Sequence, residues 1–312
     1  MLTLAATAPA KLNLTLRILG RRADGYHDLV SLVAFAPFGD HLTLQPGESL
    51  ALEVGGPAAE GAGPLADNLV LRAAHALARR IEGLRLGRFH LTKQLPAGAG
   101  LGGGSADAAA ALRLLAEAND INLGDPRLAA AARETGADVP VCLDPQPRLM
   151  GGIGDVLSAP VKLPQFGIVV VHPGVAVPTK SVFAALGLKP GERVATKQGS
   201  DAAVSEVMEG VATAAVRVPI DREALLAWLA QEHNDLQAAA IAIAPSIAEV
   251  LEEIASAPRC RLARMSGSGS ACFGLFDSES EAITLARGLA TTRPIWWVRA
   301  GVTGEKFASN CG

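Results

Sequence analysis

Apolar residues in the first part of the chain fall on every second position. In HLTLQPGESLALEVG, Leu42 and Leu44, then Leu50, Leu52 and Val54, alternate with other residues. A period of two puts these side chains on one face, so the stretch predicts antiparallel strands with one face buried. From Asp67 the period lengthens. Val70, Ala73, Ala74, Leu77 and Ile81 recur at helical spacing, with Asp67 or Asn68 placed to cap a helix. RFHLTKQL then reads as a strand leading into LPAGAGLGGGSADAAAALRLL, where five glycines between Gly98 and Gly104 give way to an Ala/Leu helix expected to begin near Ser105 and Ala106. DPRLAAAARETG predicts a short helix signalled at both ends: Asp125 as cap, Pro126 at the first helical position and Gly136 beyond the last.

DPQPRLMGGIGDVLSAP, residues 144–160, is rich in Pro and Gly and places a domain boundary near Ala159, dividing the chain into 1–158 and 159–312. Beyond it FGIVVV reads as a buried strand, DREALLAWLAQ and PSIAEVLEEIASA as helices, the second opened by Pro245 and Ser246, and CRLARM and ACFGLFD as strands flanking a second small-residue loop. Ser278 and Glu281 stand at capping-box spacing, and PIWWVRAGV is strand-like. Strands and helices interleave in both parts without a repeat, so the class is α+β. Residues 190–215 have weak periodicity and read as a mobile loop.

Composition narrows the function. With 312 residues, 49% of them hydrophobic, the chain can bury a large core, and its 28 basic and 31 acidic residues give a net charge of −3. Such a balance provides no general field for nucleic acid. The four cysteines, Cys142, Cys260, Cys272 and Cys311, form no C-x-x-C pair, and with the six histidines they show no zinc-ligand spacing. A reducing compartment is expected. MLTLAATAPA lacks a basic leader, and no run of apolar residues is long enough to span a bilayer, so the protein is expected to be cytoplasmic, with no membrane partner.

The glycine segment carries the chemistry. A helix start presents unpaired N–H groups and partial positive charge, and glycines ahead of it let more N–H groups converge on one anion. A phosphate cradle is the reading, against a flexible linker, because the segment runs straight from an apolar strand into an amphipathic helix. G-x-G-x-x-G can be read at Gly98, Gly100 and Gly103, but helix follows helix where a dinucleotide fold needs a second strand. No Lys-Ser or Lys-Thr follows the glycines, so the segment is not a P-loop.

Three segments, APAKLNLTLRILGRRADGYHDL, LPAGAGLGGGSADAAAAL and MSGSGSACFG, resemble in order and spacing the three motifs of the GHMP small-molecule kinases. Within that superfamily AKLNL and DGYH, with GADVP, HPGV, PT followed by Phe183, and HNDL, resemble the branch that phosphorylates a cytidine diphosphate conjugate of methylerythritol on its 2-hydroxyl, in the non-mevalonate route to isoprenoid precursors. The resemblance implies a ribosomal S5 domain 2-like N-terminal domain that binds ATP, a ferredoxin-like C-terminal domain and an active site between them. A homodimer is left open.

By the same resemblance Asp138 matches a catalytic aspartate, although its residues alone leave a turn aspartate after Gly136 equally open. Lys11 matches the motif-one lysine; it lies in the apolar run PAKLNLTL, where an unpaired charge is unfavourable. Asn13 shares its strand face and matches a substrate contact. Tyr26 and Phe183 match a cytosine sandwich, His27 the reader of the base edge, and Thr179 a substrate contact. Tyr26 is the single tyrosine of the chain. Pro96, Ala97, Gly98, Ala99, Gly100, Leu101, Gly102, Gly103, Gly104, Ser105 and Ala106 match the ATP cradle, with Mg2+ implied and Ser105 a hydroxyl for phosphate or metal. Asn68 and Lys93 match nucleotide-side positions, and each reads equally as a helix cap or a surface cation. Gly267 to Gly269 are expected to bring the second domain's backbone to the site, and Asp235 reads as structural. Two features depart from the pattern: Ser268 where relatives often carry Thr, and ATKQGSDAAVSEVMEG, which has no clear counterpart. Another alcohol acceptor within the superfamily and a non-catalytic nucleotide- or RNA-binding module are the alternatives; Tyr26 with His27 argues against the first and Lys11 with Asp138 against the second.

Overall fold

The computed structural model describes residues 3–194, 209, 211 and 217–304. A seven-stranded sheet is organised around one 21-residue strand, β3 (His27–Gly47). Its first part pairs antiparallel with β2 (Arg17–Arg21) and β6 (Arg148–Gly152), and the remainder with β1 (Leu4–Asn13) and β5 (Leu86–Thr92). The period-two segments lie in the second half of β3 and in β4 (Ala51–Gly55), which runs parallel to β5. Because β1 is paired along β3, Lys11 lies opposite Phe35 with its side chain buried.

α1 (Leu69–Ala78), α2 (Gly103–Ala118) and α4 (Val139–Leu143) pack on strands of this sheet, and α3 (Pro126–Thr135) packs on those three helices. Ala108 to Leu112 of α2 are all completely buried, which explains the alanine run: a helix surrounded on every side needs small side chains to admit its neighbours. α3 has the bounds that its signals predict, whereas α1 ends at Ala78 and leaves Ile81 outside.

The Pro/Gly-rich stretch 144–160 is more ordered than its composition suggests. It contains β6, buried throughout and paired to β3, and the two-residue β7 (Val156–Leu157). The second sheet begins at β8 (Gly167–His172) and is antiparallel, in the order β11 (Trp297–Val302), β8, β10 (Cys272–Phe276), β9 (Leu262–Met265). That is the ferredoxin-like arrangement. Its helices are α5 (Thr179–Ala185), α6 (Arg222–Gln231), α7 (Gln237–Ile243), α8 (Ser246–Ala255) and α9 (Glu279–Thr292), the last opened by a capping box from Ser278 and Glu281. Leu12, Leu32 and Ala34 of the first sheet share one apolar cluster with Ile168, Phe273 and Leu275 of the second, so the two sheets hold each other in place. No helix among the described residues is long and apolar enough to cross a membrane. Cys142, Cys260 and Cys272 are free thiols. Cys311 and most of the weakly periodic stretch 190–215 lie outside the described residues.

Candidate active site

The glycine segment leaves β5 through Pro96 and enters α2 at Gly103, two residues before the expected start. Gly98, Gly100 and Gly102 have φ of 63°, 75° and 64°, the left-handed region that glycine enters without penalty. Protein atoms already crowd two of them. A Cβ on Gly100 would stand 2.5 Å from the Ser266 carbonyl oxygen, and one on Gly102 would stand 3.1 Å from Cε of Lys11. The Lys11 N–H donates to the Leu101 carbonyl at 2.8 Å and the Ala271 N–H to that of Ala99 at 2.9 Å. The loop is thus stitched to β1 on one side and to residues 266–271 on the other.

Below it lies an ionic cluster. The Lys93 ammonium donates to Asp40 and, at 2.7 Å, to Asp107 of α2; all three side chains are buried. Asp40 also accepts the backbone N–H groups of Gln94 and Leu95, so it ties the start of the loop to the strand below. Oδ1 of Asp107 has no partner, and burial pushes this carboxyl up to about 7 against the opposing pull of Lys93.

On the other side of the loop the Lys11 ammonium stands 3.2 Å from Oδ2 of Asp138 and donates to Oδ1 of Asn13 at 3.0 Å. The Asn13 amide donates in turn to Ser31 Oγ at 2.8 Å, and the Asn13 N–H to Ser266 Oγ at 3.1 Å. Asp138 is the residue before α4, with a partly open side chain. Its helix is fixed from behind by Arg113, whose guanidinium donates to the carbonyls of Cys142 and Thr7 at 2.8 Å and 2.7 Å.

Lys11, Asn13, Lys93, Asp107, Asp138 and the glycine loop line one cavity of about 960 Å³. The same cavity is lined by Tyr26, 59% exposed, together with His27 and Phe183, the rings of the last two lying 4.8 Å apart at an interplanar angle of 40°. Nε2 of His27 is buried without a partner, and burial, reinforced by the positive charge of Arg21, holds the imidazole below its usual range. At neutral pH the ring is therefore neutral, with one unmet nitrogen. Thr179 Oγ1 is 2.8 Å from Ser268 Oγ, which couples α5 to the third motif.

The cavity thus gathers Lys11, Asn13, Tyr26, His27, Asn68, Lys93, Asp138, Thr179, Phe183 and the loop from Pro96 to Ser105. Ala106 falls outside it: its side chain is buried and its N–H donates to Gly102 within α2. Asn68 lines the wall while capping α1, its Oδ1 accepting from the Val70 N–H at 2.9 Å. Asp235 accepts the Ile18 N–H at 2.6 Å and so joins the two halves. Sequence reasoning missed Asp40, Asp107, Ser266 and Asn234. Asn234 donates to the carbonyls of Met265 and Gly267 at 2.9 and 2.8 Å and so holds the third motif in shape. Its position inside HNDL was the available signal; no local pattern marks Asp40.

The chain matches the model for the GHMP kinases N terminal domain over residues 68–145 and that for GHMP kinases C terminal over residues 212–294. It is 56% identical to the 4-diphosphocytidyl-2-C-methyl-D-erythritol kinase of Xanthobacter autotrophicus, covering 94% of this chain and 97% of the relative, and 53% identical to that of Azorhizobium caulinodans, covering 97% and 99%. The chain belongs to the 4-diphosphocytidyl-2-C-methyl-D-erythritol kinase family. A crystal structure of 4-(cytidine 5'-diphospho)-2C-methyl-D-erythritol kinase superposes with a TM-score of 0.73 at 33% identity, covering 97% of this chain and 100% of that one. Homoserine kinase from Cytophaga hutchinsonii gives 0.67 at 20% identity over 96% and 94%, a likeness of fold alone. As a member of this kinase family the chain is a phosphotransferase that uses ATP and acts on a small molecule.

Proposed function

We propose that this chain transfers the γ-phosphoryl group of ATP to the 2-hydroxyl of 4-diphosphocytidyl-2-C-methyl-D-erythritol. The reading rests on the meeting of Lys11 and Asp138 at 3.2 Å in a cavity that Tyr26, His27 and Phe183 also line. The phosphates of ATP lie along the loop from Pro96 to Ser105, where the first turn of α2 offers its N–H groups. Lys93 supports that loop from below, and Asn68 shapes the nucleotide side of the cavity as it caps α1. The base of the acceptor stacks between Tyr26 and Phe183, with His27 at its edge and Thr179 beside it. Asn13 holds Lys11 and contacts the acceptor.

The acceptor hydroxyl gives its proton to the Asp138 carboxylate while its oxygen bonds to the γ-phosphorus. The bond from that phosphorus to the β–γ bridging oxygen breaks, and ADP leaves with the electron pair. A placed carboxylate base contributes on the order of 10²–10⁴ in rate, and the fixed ammonium of Lys11 favours the charge developing on the acceptor oxygen. Among the described residues no group of three or more His, Cys, Asp or Glu side chains is arranged for a metal. Mg2+ therefore fits here as an ion carried by the nucleotide, with the Ser105 hydroxyl and the unpartnered Oδ1 of Asp107, both on cavity-lining residues, as its protein oxygens. When bound it offsets the charge of the transferring phosphoryl group.

ATP consumption measured against a panel of alcohols tests the reading: the cytidine diphosphate conjugate turns over, and homoserine and mevalonate do not. Asp138→Asn abolishes turnover while ADP still binds. Turnover of the other alcohols alone overturns the substrate, and near-normal activity of the variant overturns the role of Asp138.

A further inference from the structure

We infer that Lys180 is a specificity-determining residue for the diphosphate of the acceptor, its ammonium binding the charged link between base and reacting alcohol. The inference rests on the proposed reaction. An acceptor whose base stacks at Tyr26 and Phe183 and whose hydroxyl reaches Lys11 and Asp138 must lay its two phosphates along the cavity wall between those groups, and they need a counter-charge there.

The cations lining the cavity are few. Lys11 is held by Asp138 and Asn13, and Lys93 by Asp40 and Asp107. Arg21 donates to the carbonyls of Leu188 at 3.0 Å and Gly25 at 3.4 Å, so its guanidinium braces the loop beneath Tyr26. Lys180 differs from all three. It lines the cavity, is exposed, and among the described residues none pairs with its ammonium. Its place on α5 fits the role: the preceding residue, Thr179, is bonded to Ser268 of the third motif, and Phe183, one turn later, packs on His27. Three residues of helix separate Lys180 from Phe183 by about 4.5 Å along the axis. Both residues line the same cavity, so the Lys180 stem starts from its wall beside the base platform. A flexible stem with a compact charge suits a flexible diphosphate better than a rigid fork would.

Phosphate charge in this cavity has two sources, the acceptor and ATP, and binding measurements separate them. The dissociation constants of cytidine, CDP and ADP are measured for the full chain and for Lys180→Met and Lys180→Arg. The wild type should bind CDP more tightly than cytidine. Lys180→Met should weaken CDP by about 5- to 20-fold, the loss of one partly solvated ion pair, leaving cytidine and ADP within about twofold; Lys180→Arg should restore most of the loss. The advantage of CDP over cytidine should shrink with added salt in the wild type and be nearly flat in Lys180→Met. In turnover the Met variant should raise KM for the acceptor and leave KM for ATP unchanged. Equal losses for CDP and cytidine, or a loss for ADP, overturn the inference. If the wild type binds neither cytidine nor CDP and phosphorylates another alcohol, the proposed reaction fails instead. Because the side chain is exposed, unfolding midpoints of the three proteins should coincide, and a shifted midpoint with unchanged CDP affinity also overturns the inference.

Discussion

Replacing Lys93 by Met removes the one cation that separates two buried carboxylates. The side chains of Lys93, Asp40 and Asp107 are 7%, 0% and 4% exposed, so solvent offers little to replace the ammonium. Asp40 keeps the N–H groups of Gln94 and Leu95. Asp107 keeps nothing: its Oδ2 loses the donor at 2.7 Å and its Oδ1 had none. The expected cost is about 3–5 kcal/mol, the usual penalty for removing one partner of a buried ion pair. Against a typical total stability of roughly 5–15 kcal/mol that is a large share. Urea unfolding followed by tryptophan fluorescence reads it directly as a fall in midpoint at constant slope. Adding Asp107→Asn to Lys93→Met should recover about half of the loss, since a neutral amide can donate to Asp40 and needs no proton. In Mg2+-free buffer, where the proposed metal contact of Asp107 plays no part, the recovered double variant should bind ADP within about threefold of wild type if Lys93 acts only as a support for the loop. An unchanged midpoint in Lys93→Met refutes the buried cluster, and a stable double variant that has lost ADP binding refutes the supporting role and makes Lys93 a direct nucleotide contact.

Gly100→Ala forces an L-residue to φ 75° and sets a methyl 2.5 Å from the Ser266 carbonyl; the left-handed backbone alone costs about 1–2 kcal/mol, so the urea midpoint should drop, and wild-type stability would disprove the close approach. Tyr26→Ala should raise KM for the acceptor about tenfold, the worth of one aromatic stack in a half-open site, with KM for ATP unchanged; an unaltered acceptor KM removes Tyr26 from the base platform. His172 is buried at the end of β8, with Nε2 unpartnered and a pKa lowered by burial from 6.5 to about 4. Between those values the unfolded chain binds a proton that the folded chain refuses, so this group's contribution to stability falls as pH falls. Asp107, raised from 3.8 to about 7, works the other way, its contribution falling as pH rises over that range. The two slopes oppose, so the test is the difference between wild type and His172→Phe: it should change by on the order of 2–3 kcal/mol from pH 7 to pH 4, and a flat difference contradicts a neutral buried ring.

Elements whose fate is decided by their own residues were legible. α3 carries Asp125, Pro126 and Gly136, and α9 carries Ser278 and Glu281; each signal acts within one turn, and each element has the expected start. β6 was not legible. RLMGG offers no alternation because both of its faces are buried, and its glycines imitate a linker until β3 is beside it. α4, only five residues long with proline at its start, and α7, without a side-chain cap, likewise carry no readable start. What fixes such segments is a partner distant in sequence.

The same distinction divides the site. Lys11, Asn13, Tyr26, His27 and Asp138, which line one cavity, could be grouped in advance because motif resemblance already encodes which distant residues meet, whereas composition and period alone left Asp138 an ordinary turn residue. The glycines show the limit from the other side. Their lack of side chains was read as room for phosphate, yet Gly100 is bare because the Ser266 carbonyl approaches it, and Gly102 because the stem of Lys11 crosses it. The loop must admit the third motif and the Lys11 side chain before it can admit a nucleotide. A cradle assembled from three separate stretches of chain has the shape of a phosphate only when all three are in place. This predicts that loosening the third motif, for instance by Asn234→Ala, which frees the carbonyls of Met265 and Gly267, weakens ADP binding although Asn234 does not line the cavity; ADP affinity equal to wild type in a folded Asn234→Ala variant would show instead that the glycine loop keeps its form alone.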